Sequence, residues 1–107
     1  MPKHGECVIV FITAGSRKEA AALSRLLVSE KLAACSTMAP VQSLFAWKGK
    51  TEKAAETLLI VKTQRKLFAR LEQVVRQQHS YEVPEIIALP IIAGSAPYLR
   101  WIKESTG

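Results

Sequence analysis

The chain has 107 residues, 49% of them hydrophobic and 22% charged, which is the composition of an ordinary globular domain with a single core. Its longest apolar runs are too short to cross a membrane, so we predict one domain over residues 1–107 and no membrane partner. The net charge of +6 is scattered along the sequence, which favours a solvated basic surface over a nucleic-acid interface.

Two features predict a cytoplasmic protein. Residues 1–5 are polar and lead directly into an apolar run, which is unlike a secretory signal. Cys7 and Cys35 are too few for a disulfide framework, so a reducing compartment is expected. His4, in this polar tail, is predicted to be disordered rather than a metal ligand.

The first part of the chain predicts a strand followed by a helix. The run CVIVFIT at 7–13 is continuously apolar, which is typical of a strand buried on both faces. Ser16 and Glu19 predict a capping box, in which each side chain accepts a hydrogen bond from the other residue's amide. The helix is predicted to end near residue 31, with an apolar stripe made of Ala20, Leu23, Leu26 and Leu27.

Residues 33–62 predict a long β-hairpin. Its arms are AACSTMAPVQSLFAW and TEKAAETLLIVK, and Gly49 lies in the turn, where it can adopt a positive φ. Each arm is about twice the usual strand length of ~5–6 residues, so the hairpin overhangs a small domain. Pro40 suits an edge strand and not a central one.

The remainder predicts a helix, a short strand and a terminal helix. Thr63 is predicted to cap a helix over residues 64–78, and a loop at 79–85 leads into a strand at 86–89. Pro97 is expected near the start of the terminal helix. The buried stripe of the second helix is predicted to be Leu67, Leu71 and Val74, with Phe68 and Val75 flanking it.

This order of elements predicts an α+β, ferredoxin-like split βαβ fold with an antiparallel sheet, strand order 4-1-3-2, and an added C-terminal helix. Cys7 and Cys35 then lie two strand spacings of ~4.8 Å apart, beyond the ~7 Å limit for a disulfide. The apolar strands do not alternate with polar residues, although the two main helices cover only one sheet face. We therefore predict that other copies of the chain cover the second face, with the hairpin as the clasp.

Four motifs are specific as a set: EKLAAC at 30–35, WKGK at 47–50, HSYEVPEI at 79–86 and YLRW at 98–101. In this order they closely resemble the CutA family of divalent-cation tolerance proteins, over about Val8 to Ile102. The resemblance implies a homotrimer, similar in assembly to the PII signalling proteins, whose long hairpins extend the neighbour's sheet. It also implies a role in tolerance of copper and other divalent metals.

The same resemblance implies where a metal ion would bind. Copper-linked bacterial members have a cysteine near the end of the first strand and a histidine pair before the loop. Ile12 and Gln78 replace the cysteine and the first histidine, and Ser80 replaces the family's usual proline. His79 is then the one candidate ligand for Cu(II) or another divalent cation, and no cofactor is required. Completing such a site would need Glu56, Glu82 or Glu85.

His79 has an alternative role, as a helix-end residue that interacts with terminal carbonyl groups. An intersubunit pocket is the second candidate site, and its predicted residues are Trp47, Glu56, Tyr81 and Glu85. For the two aromatic residues, a packing role is the alternative. The alternative function, a PII-like regulator that binds a small anionic ligand between subunits, stays open.

Glu52 and Glu56 are four residues apart on one strand face. They are either paired carboxylates or salt-bridge partners of Lys62 or Arg65 across the trimer. No nucleophile–base–acid constellation is recognisable, so we predict that the protein has no catalytic residues and is not an enzyme.

Overall fold

The computed structural model describes residues 6–107, so the predictions for His4 and residues 1–5 lie outside the described residues. Within that range the strands are β1 (Cys7–Ala14), β2 (Cys35–Trp47), β3 (Lys50–Gln64) and β4 (Ile86–Pro90). The α-helices are α1 (Arg17–Ser29), α2 (Phe68–Gln78) and α3 (Ala96–Glu104). None of these helices is long and apolar enough to cross a membrane.

The strands form one antiparallel sheet in the order β2-β3-β1-β4. This is the predicted ferredoxin-like order, and the α+β fold class is confirmed. β1 is central and pairs with β3 from Cys7, opposite Gln64, to Ala14, opposite Thr57. Cys7 and Cys35 lie on strands separated by β3, and both are free thiols, as predicted.

The core lies between α1, α2 and one face of the sheet, as predicted. It is built from fully buried aliphatic side chains on both layers, namely Val10, Ile12, Leu59, Val61, Leu27, Leu71 and Val75. The prediction for Leu26 is wrong, because Leu26 is only half-buried and Ser24 is buried instead. The Ser24 hydroxyl satisfies its hydrogen bonding with the Ser36 hydroxyl of β2, 2.7 Å away.

The N-terminus of α1 is capped differently from the prediction. The Ser16 hydroxyl accepts from the Glu19 amide at 3.1 Å, as expected. The Glu19 carboxylate, however, accepts from the Gly15 amide at 3.2 Å and not from Ser16, since it also binds Ser80 in the loop after α2. The helix ends at Ser29, and Lys31 reverses the chain with a φ of 58°.

The predicted start of the second helix is wrong. Thr63 does not cap α2, because its buried hydroxyl donates to the Leu32 carbonyl at 2.6 Å. β3 continues to Gln64, and a 3-10 turn at Arg65–Leu67 precedes the helix, which begins at Phe68 without a side-chain cap. A tertiary contact has therefore replaced the local capping interaction.

The second face of the sheet is only partly covered within the chain. At one end Ile102 of α3 is fully buried in a small cluster with Cys7 and Ala34. Elsewhere the face is open, with Ile87 and Leu89 of β4 exposed to 51% and 42%. This is the uncovered apolar face on which the prediction of additional copies rests.

The hairpin extends beyond the rest of the sheet. β1 reaches only as far as Thr57 on β3, so residues 50–56 pair with β2 alone, and we call the segment 41–56 the ribbon. Lys48 and Gly49 form its two-residue turn with φ values of 50° and 78°, which matches the right-handed strand twist. The ribbon gives the molecule its elongated extents of 46 × 25 × 22 Å.

Candidate functional site

An open cleft of about 1020 Å³ lies between the ribbon and the loop at 79–85. The four residues predicted for a pocket, Trp47, Glu56, Tyr81 and Glu85, all line this cleft. Its volume is comparable with that of small-molecule sites, which span about 300–1,000 Å³. The structure therefore brings together residues from two segments that are distant in the sequence.

Tyr81 and Glu56 form the central contact of the cleft. The Tyr81 hydroxyl donates to Glu56 Oε2 at 2.7 Å, and Glu56 is only 8% exposed. A Cβ atom at Gly15 would lie 3.2 Å from the Tyr81 hydroxyl, so glycine leaves room for this close approach. Burial, together with the hydrogen bond to Glu56 and its negative charge, raises the pKa of Tyr81 to about 12.

This contact predicts delayed ionisation of Tyr81. The chain has two tyrosines, so a Tyr98→Phe variant reports on Tyr81 alone by absorbance at alkaline pH. With a pKa of about 12, roughly a tenth of Tyr81 ionises at pH 11, whereas an unperturbed tyrosine would be almost fully ionised. Because the pKa is raised on folding, the stabilising effect is complete below the unfolded value near 10 and is lost as the pH rises through about 12.

Adding Glu56→Gln to the same Tyr98→Phe background is the control. It removes the negative charge beside the phenol, so ionisation shifts to lower pH. An unchanged titration curve would show that Glu56 does not raise the pKa of Tyr81.

Both ring nitrogens of His79 form hydrogen bonds within the chain. Its side chain is fully buried, Nε2 donates to the Thr13 carbonyl at 2.8 Å, and Nδ1 accepts from the Tyr81 amide at 3.0 Å. The sequence offered an alternative in which the His79 ring contacts carbonyl groups at the end of its own helix. In the structure the ring instead bonds a carbonyl group of β1. A metal ion at either nitrogen would displace one of these hydrogen bonds.

Glu19 fixes the start of the loop after α2. Its carboxylate accepts from the Ser80 amide at 2.8 Å, from the Ser80 hydroxyl at 3.0 Å and from the Gly15 amide. Burial raises the pKa of Glu19, but these hydrogen bonds outweigh burial and lower it below the usual 4.5. Serine at position 80 supplies both an amide and a hydroxyl donor, neither of which a proline has. That departure from the family pattern was the one sequence signal for this contact.

The described part of the chain does not assemble a metal site by itself. Across residues 6–107, no three His, Cys, Asp or Glu side chains are grouped closely enough to hold a metal ion. Glu82 and Glu85, the predicted supporting ligands, are exposed on the cleft margin.

The cleft is strongly acidic. Lys53 is the one basic side chain among the described lining residues, whereas Glu52, Glu56, Glu82 and Glu85 contribute carboxylates. A lining with this charge disfavours the small anionic ligand of a PII-like regulator.

Comparison with known proteins agrees with this fold. The family model for the CutA1 divalent ion tolerance protein matches residues 8–105. The chloroplastic protein CutA of Arabidopsis thaliana is 43% identical over 100 residues, which cover 92% of this chain and 55% of that protein. The human protein CutA is 41% identical, and the match covers 58% of its length. The chain therefore spans about half the length of these two relatives.

Two prokaryotic relatives match this chain over nearly all of their own length. The Divalent-cation tolerance protein CutA of Thermus thermophilus is 42% identical over 92% of this chain and 97% of that protein. Its solved structure has a TM-score of 0.92 at 41% identity, covering 94% of this chain and 99% of that one. The structure of the periplasmic divalent cation tolerance protein CutA from Archaeoglobus fulgidus has a TM-score of 0.91 at 41% identity, covering 92% and 97%. With nearly the whole chain matched by the family model, the protein belongs to the CutA1 divalent ion tolerance family.

Proposed function

We propose that the protein works as a homotrimer that takes part in the cell's response to divalent metal ions, by binding rather than by catalysis. The observation that carries the assembly is the open second face of the sheet. Ile87 and Leu89 are exposed there, and Phe11 and Ile60 are only half-buried. Contiguous apolar surface of this kind is typical of an interface.

The ribbon supports the same proposal. Leu44, Phe45 and Trp47 are exposed to 72%, 40% and 39%, on a segment that has no third strand beside it. The outer edge of β2 is also unpaired within the described chain. Strand addition to a neighbouring copy would bury these side chains and pair that edge, and a cyclic arrangement would repeat the contact for every subunit.

Direct binding of Cu(II) or another divalent cation is proposed to use ligands from more than one subunit. Two observations within residues 6–107 support this: no three potential ligands are grouped, and the ring nitrogens of His79 are both hydrogen-bonded. Calorimetric titration with Cu(II), compared between the wild type and His79→Ala, tests whether His79 is one of these ligands.

A reducing compartment, the cytoplasm, is the proposed location. Two free thiols support it, because an oxidising compartment favours disulfides and exposes such thiols to oxidation. The terms chloroplastic and periplasmic in the names of relatives describe those proteins. Localisation of a fluorescent fusion of the full chain is the corresponding test.

The assembly is tested by light scattering coupled to size-exclusion chromatography at micromolar concentration. The expected mass is three times the 11.8 kDa of one chain. A mass of one chain would contradict the proposal and leave the open apolar face without an explanation.

A further inference from the structure

The positive charge of the chain is scattered along the sequence, but the fold gathers it on one side of the molecule. α1 and α2 pack on the covered face of the sheet, and together with the turns at their ends, residues 15–31 and 65–78, we call them the helix layer. The helix layer has eight basic and three acidic residues, a net charge of +5, whereas all 107 residues together have +6. The rest of the chain is therefore almost neutral, and the positive potential arises from one face.

The basic side chains of the helix layer are available to a partner. All eight are exposed, namely Arg17, Lys18, Arg25, Lys31, Arg65, Lys66, Arg70 and Arg76. Within residues 6–107 only the last of them has an ion-pair partner, Glu72 at 3.9 Å. Glu19, a second of the three carboxylates, already accepts hydrogen bonds from Ser80 and Gly15. Seven cations of one face thus have no counter-charge in the described chain.

Two of these cations flank a groove on α1. Lys18 and Arg25 are seven residues apart, which is two helical turns or about 10 Å. The groove has a volume of about 480 Å³, and its other lining residues are Ala21, Ala22, Leu26 and Ser29. Because the alanine side chains are short, an extended anionic backbone can approach the helix between the two cations.

The density of this charge favours one class of partner. A DNA duplex has one negative charge per ~1.7 Å of its axis, whereas an acidic polypeptide in extended form has at most one per ~3.3 Å. Along α1, which is 13 residues or roughly 20 Å long, a duplex offers on the order of 12 phosphates. Arginine and lysine both pair with phosphate, so this supply is sufficient for all seven cations.

Two other polyanions fit the helix layer less well. Single-stranded nucleic acid is usually bound by stacking its bases on aromatic side chains. Phe68 is the one aromatic residue of the helix layer, and it packs against the core. A membrane-binding helix inserts large apolar side chains, but across residues 15–31 and 65–78, all of which are described, Val28 is the one large hydrophobic side chain that is exposed.

We propose that the helix layer binds duplex DNA through its phosphate groups, without reading the base sequence. The arginine and lysine side chains donate to phosphate oxygens, and no side chain has to enter a groove of the duplex. The inference goes beyond the proposed function and does not depend on it. The helix layer lies on the sheet face opposite to the proposed interface, so it is exposed in a single subunit and in a trimer alike.

The test is a titration of a fluorescently labelled DNA duplex with the full chain, followed by anisotropy, with EDTA present to exclude metal-mediated binding. We expect a dissociation constant between about 1 and 100 μM near physiological salt, which is the range of sequence-independent binding. If five of the cations contact phosphates, raising the salt from about 50 to 200 mM lowers the affinity roughly 500-fold. Two duplexes of unrelated sequence should bind alike.

The double variant Lys18→Gln/Arg25→Gln removes two of the proposed phosphate contacts. Glutamine is a good helix former, so these exposed positions of α1 should still fold. The affinity near 50 mM salt should fall by about tenfold or more, and the salt dependence should decrease by about two phosphate contacts. Lys50→Gln/Arg100→Gln is the matched control, since it removes the same two residue types from exposed positions outside the helix layer and should bind almost like the wild type.

Four results would overturn the proposal. The first is the absence of saturable binding near 50 mM salt, which would leave the solvated basic surface that the sequence favours. The second is an equal loss of affinity in the control variant, because net charge and not the helix layer would then act. The third is tighter binding to single-stranded DNA or to an RNA duplex of the same length. The fourth is equally effective competition by anionic lipid vesicles or polyglutamate at the same concentration of charge.

Discussion

Replacing Ile87 with aspartate is expected to convert the proposed trimer into monomers at micromolar concentration. Ile87 is 51% exposed on the second sheet face, where the proposed assembly would bury it. Burying an unpaired carboxylate there costs several kcal/mol per subunit, which exceeds what a single apolar contact can offset. Light scattering would then report a fall from three times to one times 11.8 kDa.

Val28→Asp is the matched control for this change. Val28 is 42% exposed, but it lies near the end of α1, which packs on the opposite face of the sheet. This variant should keep the mass of the wild type. An Ile87→Asp protein that is still trimeric would place the interface elsewhere on the molecule.

Replacing His79 with alanine is expected to lower the free energy of unfolding by about 3 kcal/mol. The substitution leaves the Thr13 carbonyl and the Tyr81 amide without their partners and opens a cavity where the ring was. Urea unfolding at one fixed protein concentration measures the effect, since folding and assembly are coupled in an oligomer.

Gln78→Ala is the control for His79, because Gln78 is the exposed preceding residue and should change stability by no more than about 0.5 kcal/mol. Cu(II) binding of His79→Ala, measured by calorimetry, should equal that of the wild type. A loss of copper binding would instead identify His79 as a ligand. A loss of less than about 1 kcal/mol in stability would show that its hydrogen bonds are dispensable.

The fold was predictable because the sequence patterns of its strands and helices extend over many residues and agree with one another. The continuous apolar run of β1, the hairpin turn at Gly49 and most of the two helical stripes are present in the structure. One error falls where a hydroxyl group has two possible partners. Thr63 precedes a helix, as a capping residue would, yet it binds the Leu32 carbonyl, which is 31 residues away.

Of the cleft, only some of the residues that line it were predicted from the sequence. The motifs placed Trp47 and Tyr81 in one pocket, and both line the cleft. The contact between Ser80 and Glu19 was not predicted, because these residues are 61 positions apart and serine in place of the family's usual proline was its one signal. The hydrogen bonds of the two His79 ring nitrogens depend on the conformation of the same loop, so they could not be predicted from the sequence either.

The ribbon also bears on the risk that a single subunit aggregates before the proposed assembly. An isolated subunit presents a long, apolar strand edge, which is the usual starting point for aggregation. Pro40 removes one backbone donor from that strand, and Lys48, Lys50 and Lys53 place like charges around the tip. These residues disfavour pairing with unrelated strands, which protects a newly synthesised subunit before the proposed assembly.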